Sequence, residues 1–188
     1  MPFPSVTEIT SNRLTLRPVE SADLIELLDV NSDADVTEFL AYDAWQSMHD
    51  AEMWLARMQL LAGSGTGHQM AVVQRSHSRV VGTLQLFNYD EMNSRVQLTY
   101  ALGRQYWGNG LMFEAISAVR SWAVQRHRIR RIEAEVNPEN HAACELQLRL
   151  GFTLEGTLRK RSIIKGRAHD MNVYGWLARD PVPSLTRL

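Results

Sequence analysis

The chain has 188 residues, 45% hydrophobic and 22% charged, proportions that exclude a disordered, collagen-like or low-complexity polypeptide. Its 20 Lys and Arg against 21 Asp and Glu leave a formal charge of -1, so no whole-molecule field draws it to nucleic acid or anionic lipid. The single cysteine, Cys144, excludes an intrachain disulfide and a multi-cysteine zinc site. The start Met1-Pro2-Phe3-Pro4-Ser5 has neither the basic nor the apolar segment of a signal peptide. No stretch approaches the roughly 18 apolar residues of a membrane span. The expectation is a cytoplasmic protein without a membrane partner.

In chain order, Arg13-Leu14-Thr15-Leu16-Arg17 alternates polar and apolar residues up to Pro18, which predicts a short half-buried strand. Ser21 caps a helix carrying Leu24, Leu27 and Leu28, and a second short helix is expected over Asp33 to Ala41. Ser47 and Asp50 resemble a capping box opening a stronger helix, with Met53, Trp54, Met58 and Leu61 on one face. The run Gly63-Ser64-Gly65-Thr66-Gly67 ends that helix and reads as a connection. Strands are then predicted over Met70 to Gln74, Val80 to Phe87 and Arg95 to Leu102. A helix from Gly108 carries Met112, Ala115, Ile116, Val119, Trp122 and Ala123 on one face. Ile129 to Val136 reads as a strand and Asn140 to Leu150 as a helix ended by Gly151. Two more strands flank a Lys165-Gly166 turn.

Three consecutive strands imply an antiparallel portion, and the strand-helix-strand step after them a parallel one. The fold class is therefore mixed α/β (α+β), in a single domain whose core runs from about Asn12 to Leu177. A loose tail is expected over the last eight or so residues, with Pro181 and Pro183. The most informative segment is Leu102-Gly103-Arg104-Gln105-Tyr106-Trp107-Gly108-Asn109-Gly110-Leu111, where a strand ends, glycines follow and a helix begins. A helix start offers free N–H groups and a positive dipole end, and glycines let a phosphate approach them. A tight turn alone would also account for the glycines. A P-loop would need Gly-Lys-Ser/Thr where Gly110, Leu111 and Met112 stand, and a dinucleotide fingerprint a third glycine at Phe113.

Gln105-x-x-Gly108-x-Gly110 resembles the Gln/Arg-x-x-Gly-x-Gly/Ala signature of the GNAT superfamily of acyl-CoA-dependent N-acetyltransferases. The stretches Arg13 to Pro18, Arg131 to Ala134, Asn137 to Asn140, Leu150 to Gly156 and His169 to Tyr174 resemble its RimJ/RimL-like branch, in one register from about Asn12 to Leu177. That resemblance implies a mixed sheet of six to seven strands with helices on both faces, splayed between the fourth and fifth strands. It implies acetyl-CoA as donor and a primary amine as acceptor, either a protein N-terminus or a small molecule. The pyrophosphate would lie on the amides of Tyr106, Trp107, Gly108, Asn109, Gly110 and Leu111, with Gln105 opening the turn. The pantetheine arm would run along Tyr100, Ala101 and Leu102, held also from Asn137 and Asn140. Arg104 is either a phosphate contact or an exposed loop charge.

Several roles of the family do not carry over. Gln97 stands where relatives often have a carboxylate, Ala143 where some have a serine, and Ser162 where some have an acidic residue. Either a neutral α-amine, with its pKa near 7.7–8.0, reacts with little help, or another group serves. Tyr100, His169 and Cys144 are the catalytic candidates, beside Asp90 and Glu91. For Cys144 a core role is the commoner one. Acceptor-side candidates are Tyr42, Trp45, Asn88, Gln97 and His169, with Trp54 assigned to the core. The basic run Arg126 to Arg131 reads as a helix C-terminus rather than a nucleic-acid patch, and the histidines lack metal-site spacing, so no metal is expected. A monomer or a homodimer is compatible with this reading. The alternative to an enzyme is a non-catalytic acyl-CoA-binding sensor or partner module.

Overall fold

The computed structural model describes residues 7–180. The expected tail beyond Asp180 lies outside them. The described chain forms β1 (Ile9–Thr10), β2 (Leu14–Pro18), α1 (Leu24–Asn31), α2 (Ala34–Thr37), α3 (Met48–Gly63), β3 (His68–Gln74), β4 (Arg79–Asp90) and β5 (Arg95–Leu102). After a 3-10 turn at Arg104–Tyr106 come α4 (Leu111–His127), β6 (Arg131–Val136), α5 (His141–Arg149), β7 (Thr153–Ile164) and β8 (Arg167–Leu177). The strands make one eight-stranded sheet in the order β1-β2-β3-β4-β5-β6-β8-β7. That is one more than the upper expectation. β1, only two residues long, pairs Ile9 with Leu16 and is too short for any periodicity to announce.

Every neighbouring pair of strands is antiparallel except β5 and β6. That parallel pair is joined by α4, as a strand-helix-strand crossover requires. It holds for three positions only: Arg95 with Arg131, Val96 with Ile132 and Gln97 with Glu133. Beyond them β5 stays paired to β4 as far as Leu102, and β6 to β8 as far as Val136. The two strands thus part at Leu98 and Ala134, and their facing backbone edges open into a gap.

One face of the sheet is covered by α4 and α5. Met112, Ala115, Ile116, Val119 and Ala123 of α4 are buried against Leu14, Leu16, Val96, Leu98, Ile132 and Ala134. Trp122 is only half-buried, its ring 4.2 Å from that of His127. α1 and α3 build a second cluster on the opposite face, with Ala71, Val73 and Val80. The capping box of α3 is present, Asp50 accepting from the Ser47 N–H at 2.9 Å. Its buried face is Ala51, Trp54 and Leu55, whereas Met53 points outward at 60% exposure. The helix expected over Asp33 to Ala41 shrinks to the single turn of α2, capped by Asp33 on the Asp35 N–H at 2.9 Å.

Three turns follow the backbone chemistry closely. Gly151 ends α5 with φ 83°. Lys165 and Gly166 both have positive φ, 48° and 74°, as a two-residue hairpin turn of the primed type requires. Arg128 closes α4 in the left-handed region at φ 54°, so β6 begins at Arg131 rather than Ile129.

Candidate active site

The glycine turn is a rigid bracket before any ligand is considered. Gly108 and Gly110 have φ of 74° and 70°, conformations that cost an L-residue about 1–2 kcal/mol. A Cβ on Gly108 would meet nothing within 4 Å, so its surface is open to an approaching group. Around it the chain is tied down. The Trp107 indole donates to the Leu102 carbonyl at 2.7 Å, and the Asn109 amide donates to the carbonyls of Tyr106 and Trp107. Arg13 donates to the Asn109 carbonyl at 3.0 Å and to Glu114 at 2.6 Å. Glu114 also takes the Arg13 backbone N–H and the Ser11 hydroxyl, which fastens the first turn of α4 to the chain entering β2. The first bond of α4 runs from Glu114 N–H to the Gly110 carbonyl at 3.1 Å. Amides ahead of it have no helical acceptor and sit at the positive dipole end. An open glycine surface, fixed amides and that dipole fit the pyrophosphate of a CoA.

Beside this turn lies a cavity of about 590 Å³, walled by Glu26, Asp29 and Asp33 and by Gly103, Arg104, Gln105 and Tyr106. Its carboxylates oppose a phosphate. Its two cations are engaged, Arg79 with Glu26 at 3.1 Å and Arg104 with Asp35 at 2.5 Å. Arg104 is thus paired with α2 in this structure.

At the gap the structure brings two groups of side chains together. On the α5 side, Gln147 donates to the Tyr100 hydroxyl at 3.3 Å, while its own carbonyl oxygen is buried with no protein partner. Cys144, one turn earlier on α5, donates weakly to the Asn137 carbonyl at 3.7 Å and accepts from the Asn172 amide at 3.9 Å. Tyr174 lies against the same thiol. Burial pushes the Tyr100 phenol up to about 12, and burial together with Cys144 does the same to Tyr174. Phenols that weak hold their protons against the anion of an alkyl thiol, whose ordinary pKa is about 8.5.

On the opposite face, Asn88 donates to Gln97 at 2.7 Å, and the Gln97 amide reaches Glu133 at 3.5 Å. Glu133 is 8% exposed and accepts from Arg95 at 2.9 Å and Arg131 at 2.6 Å. Burial raises its pKa, but the guanidiniums of Arg131 and Arg95 outweigh that and hold it below the usual carboxylate range. Arg131 is in turn paired with Glu155. Glu133 is thus a fixed anion at the root of the gap, not a free base. Asp90 is fixed likewise: it accepts from the Asn93 side chain and backbone, which lower its pKa.

The remaining predicted residues have local duties. Asn140 caps α5, accepting the Ala143 N–H at 3.0 Å. Asn137, 4% exposed, accepts the Glu139 N–H at 2.9 Å and meets His169 Nδ1 at 3.1 Å. Tyr42 donates to Asn31 at 2.8 Å. Trp45 is 5% exposed, its ring 5.4 Å from that of Trp54, so it belongs to the second core cluster. Sequence reasoning missed Gln147, Tyr174, Asn172 and Glu133. The i, i+3 spacing from Cys144 was a signal for Gln147. For Glu133 the local signal was Arg131 two residues earlier on the same strand face, whereas its partners Arg95 and Gln97 come from another strand.

A strand edge left open beside a glycine turn and a helix start fits an acyl-CoA-dependent transferase, and comparison with known proteins agrees on that class. The chain belongs to the GNAT family of acetyltransferases, whose acetyltransferase (GNAT) domain matches residues 13–153. It is 30% identical over 170 residues to the uncharacterized N-acetyltransferase p20 of Bacillus licheniformis, covering 90% of this chain and 96% of that one. It is 27% identical over 171 residues to the ribosomal protein uS5-alanine N-acetyltransferase of Escherichia coli K12, covering 86% of each. A solved structure of RimL, a ribosomal L7/L12 alpha-N-protein acetyltransferase in complex with coenzyme A, matches with a TM-score of 0.80 at 22% identity. That match covers 90% of this chain and 97% of the other, and it is a likeness of fold.

Proposed function

We propose that this chain, as one acetyltransferase domain, moves the acetyl group of acetyl-CoA onto a primary amine, with protein N-terminal α-amines as the acceptor class. The observation that carries the reading is the gap between β5 and β6 next to the glycine turn. It gives an extended amide-bearing arm two strand edges to bond, with an anion subsite at its end. Acetyl-CoA supplies an activated thioester there. The amides from Tyr106 to Leu111 would hold its phosphates, and the edges of Tyr100 to Leu102 its arm.

The acceptor class follows from what the gap lacks. Glu133 and Asp90 are held as anions by their partners, and neither is free to take a proton. An α-amine is partly neutral at pH 7, whereas a lysine amine near 10.4 is almost wholly charged and needs a base. The uS5-alanine enzyme among the relatives is named for an N-terminal acceptor of this kind. Incubation with acetyl-CoA and paired peptides, one with a free α-amine and one with only a lysine amine, tests this. Acetylation of the first at several times the rate of the second is expected. Equal rates on both would contradict the acceptor class. Saturable acetyl-CoA binding without transfer to any amine would instead favour a non-catalytic binding module.

A further inference from the structure

Asn137 fixes the tautomer of His169. The Glu139 N–H donates to Asn137 Oδ1 at 2.9 Å, and a backbone N–H can only donate, so the amide orientation is set. Its Nδ2 therefore faces His169 Nδ1 at 3.1 Å and donates to it. In the neutral ring Nδ1 is then the acceptor, and the proton sits on Nε2. A general base would need the reverse arrangement.

The sheet face that His169 takes follows from the strand. Asn172 touches Cys144, and Tyr174 packs in the α4 and α5 cluster, so the even-numbered side chains of this part of β8 face those helices. His169 lies on the other face by alternation, the face that carries Asn88, Gln97 and Glu133. The extra residues of the neighbouring irregularity belong to β7, where Leu158 and Ser162 pair with Met171 and His169. The alternation along β8 is therefore intact. Asn137 itself follows Val136, the last residue of the strand that borders the gap.

We propose that His169 is a positioning residue whose Nε2–H donates to a backbone carbonyl of a peptidyl acceptor, and that it is not the base. This rests on the acetyl-transfer reading and narrows its acceptor to peptides. A carbonyl-free amine gives that donor nothing to bind. No proton changes owner at His169.

Two measurements test it. Long-range nitrogen–proton NMR of the imidazole at about pH 9, far above the ordinary histidine value of about 6.5, reads the tautomer without any turnover. The expected result is Nε2–H in the native protein and a switch to Nδ1–H in Asn137→Asp, whose second carboxylate oxygen can only accept. A native ring protonated on Nδ1 would overturn the proposal. In steady-state kinetics, His169→Ala is expected to raise KM for an N-terminal peptide about tenfold, the effect of one lost hydrogen bond. KM for a carbonyl-free amine as weakly basic as an α-amine should not move, and His169→Gln, with a side-chain N–H donor, should recover most of the peptide KM. An equal collapse of kcat in both variants would make His169 the base and overturn the proposal. Absence of turnover in the native protein would contradict acetyl transfer itself, a result distinct from the tautomer.

Discussion

At the scale of single residues, the site is built from groups that satisfy one another before any ligand arrives. Glu133 is the clearest case: its carboxylate offsets two arginines at the root of the gap. Its pKa is lower folded than unfolded, so its stabilising contribution is complete above about pH 4.5 and fades as pH falls through the folded value. Glu133→Gln is expected to lower the melting temperature at pH 7 and to reduce the difference between pH 7 and pH 3. An unchanged pH difference would remove Glu133 as the anchor. Tyr100 and Gln147 form a second unit. Tyr100→Phe strips the Gln147 amide of its hydroxyl partner, at a cost of about 1–3 kcal/mol in denaturant unfolding. Adding Gln147→Leu should restore stability, since both polar partners are then gone, yet turnover should stay low if the phenol serves the reaction. Recovery of turnover in the double variant would make the pair purely structural. Cys144→Ala removes the thiol's weak contacts to Asn137, Asn172 and Tyr174 and should keep most turnover.

At the scale of elements, the glycine turn and the start of α5 carry separable predictions. Gly110 has φ of 70°, which Asn and Asp tolerate better than other side chains. Gly110→Asn and Gly110→Asp should therefore lose similar stability, while Asp places a negative charge where the proposed pyrophosphate would lie. Calorimetry should find acetyl-CoA affinity at least tenfold weaker in the Asp variant than in the Asn variant. Equal affinities would dismiss the anion subsite. Asn140→Ala should cost about 1 kcal/mol of stability through the lost α5 cap, in addition to any loss of affinity. The turn was legible in the sequence because its chemistry is local, glycines between a strand and a helix, whereas the sequence expectation starts the next helix at Asn140, which the structure shows to be its cap. β5 was legible over its whole length, Arg95 to Leu102, because alternation there reports two unlike faces. β7 was legible only as a strand of unstated length. It is an edge strand exposed along most of its twelve residues, so burial imposes no pattern on it. The helix expected after Asp33 had capping chemistry but buries only Thr37 beneath a single turn.

At the scale of the whole molecule, the function follows from one departure from regularity. An eight-stranded sheet is continuous except where its single parallel pair separates after three positions, and α4 begins beside that opening. Neither the parting of β5 from β6 nor the Arg95–Glu133 pair at its root could be read from residue order, since each joins residues of β5 and β6 that lie far apart in sequence. The direct measurement is mass-spectrometric analysis of a free N-terminal peptide incubated with acetyl-CoA and the native protein, alongside titration of released thiol. The account predicts one acetyl group per peptide on the α-amine, one thiol released per acetyl transferred, and loss of both with Gly110→Asp at limiting acetyl-CoA. Thiol release without peptide acetylation, or full acetylation by Gly110→Asp at the same acetyl-CoA concentration, would contradict it.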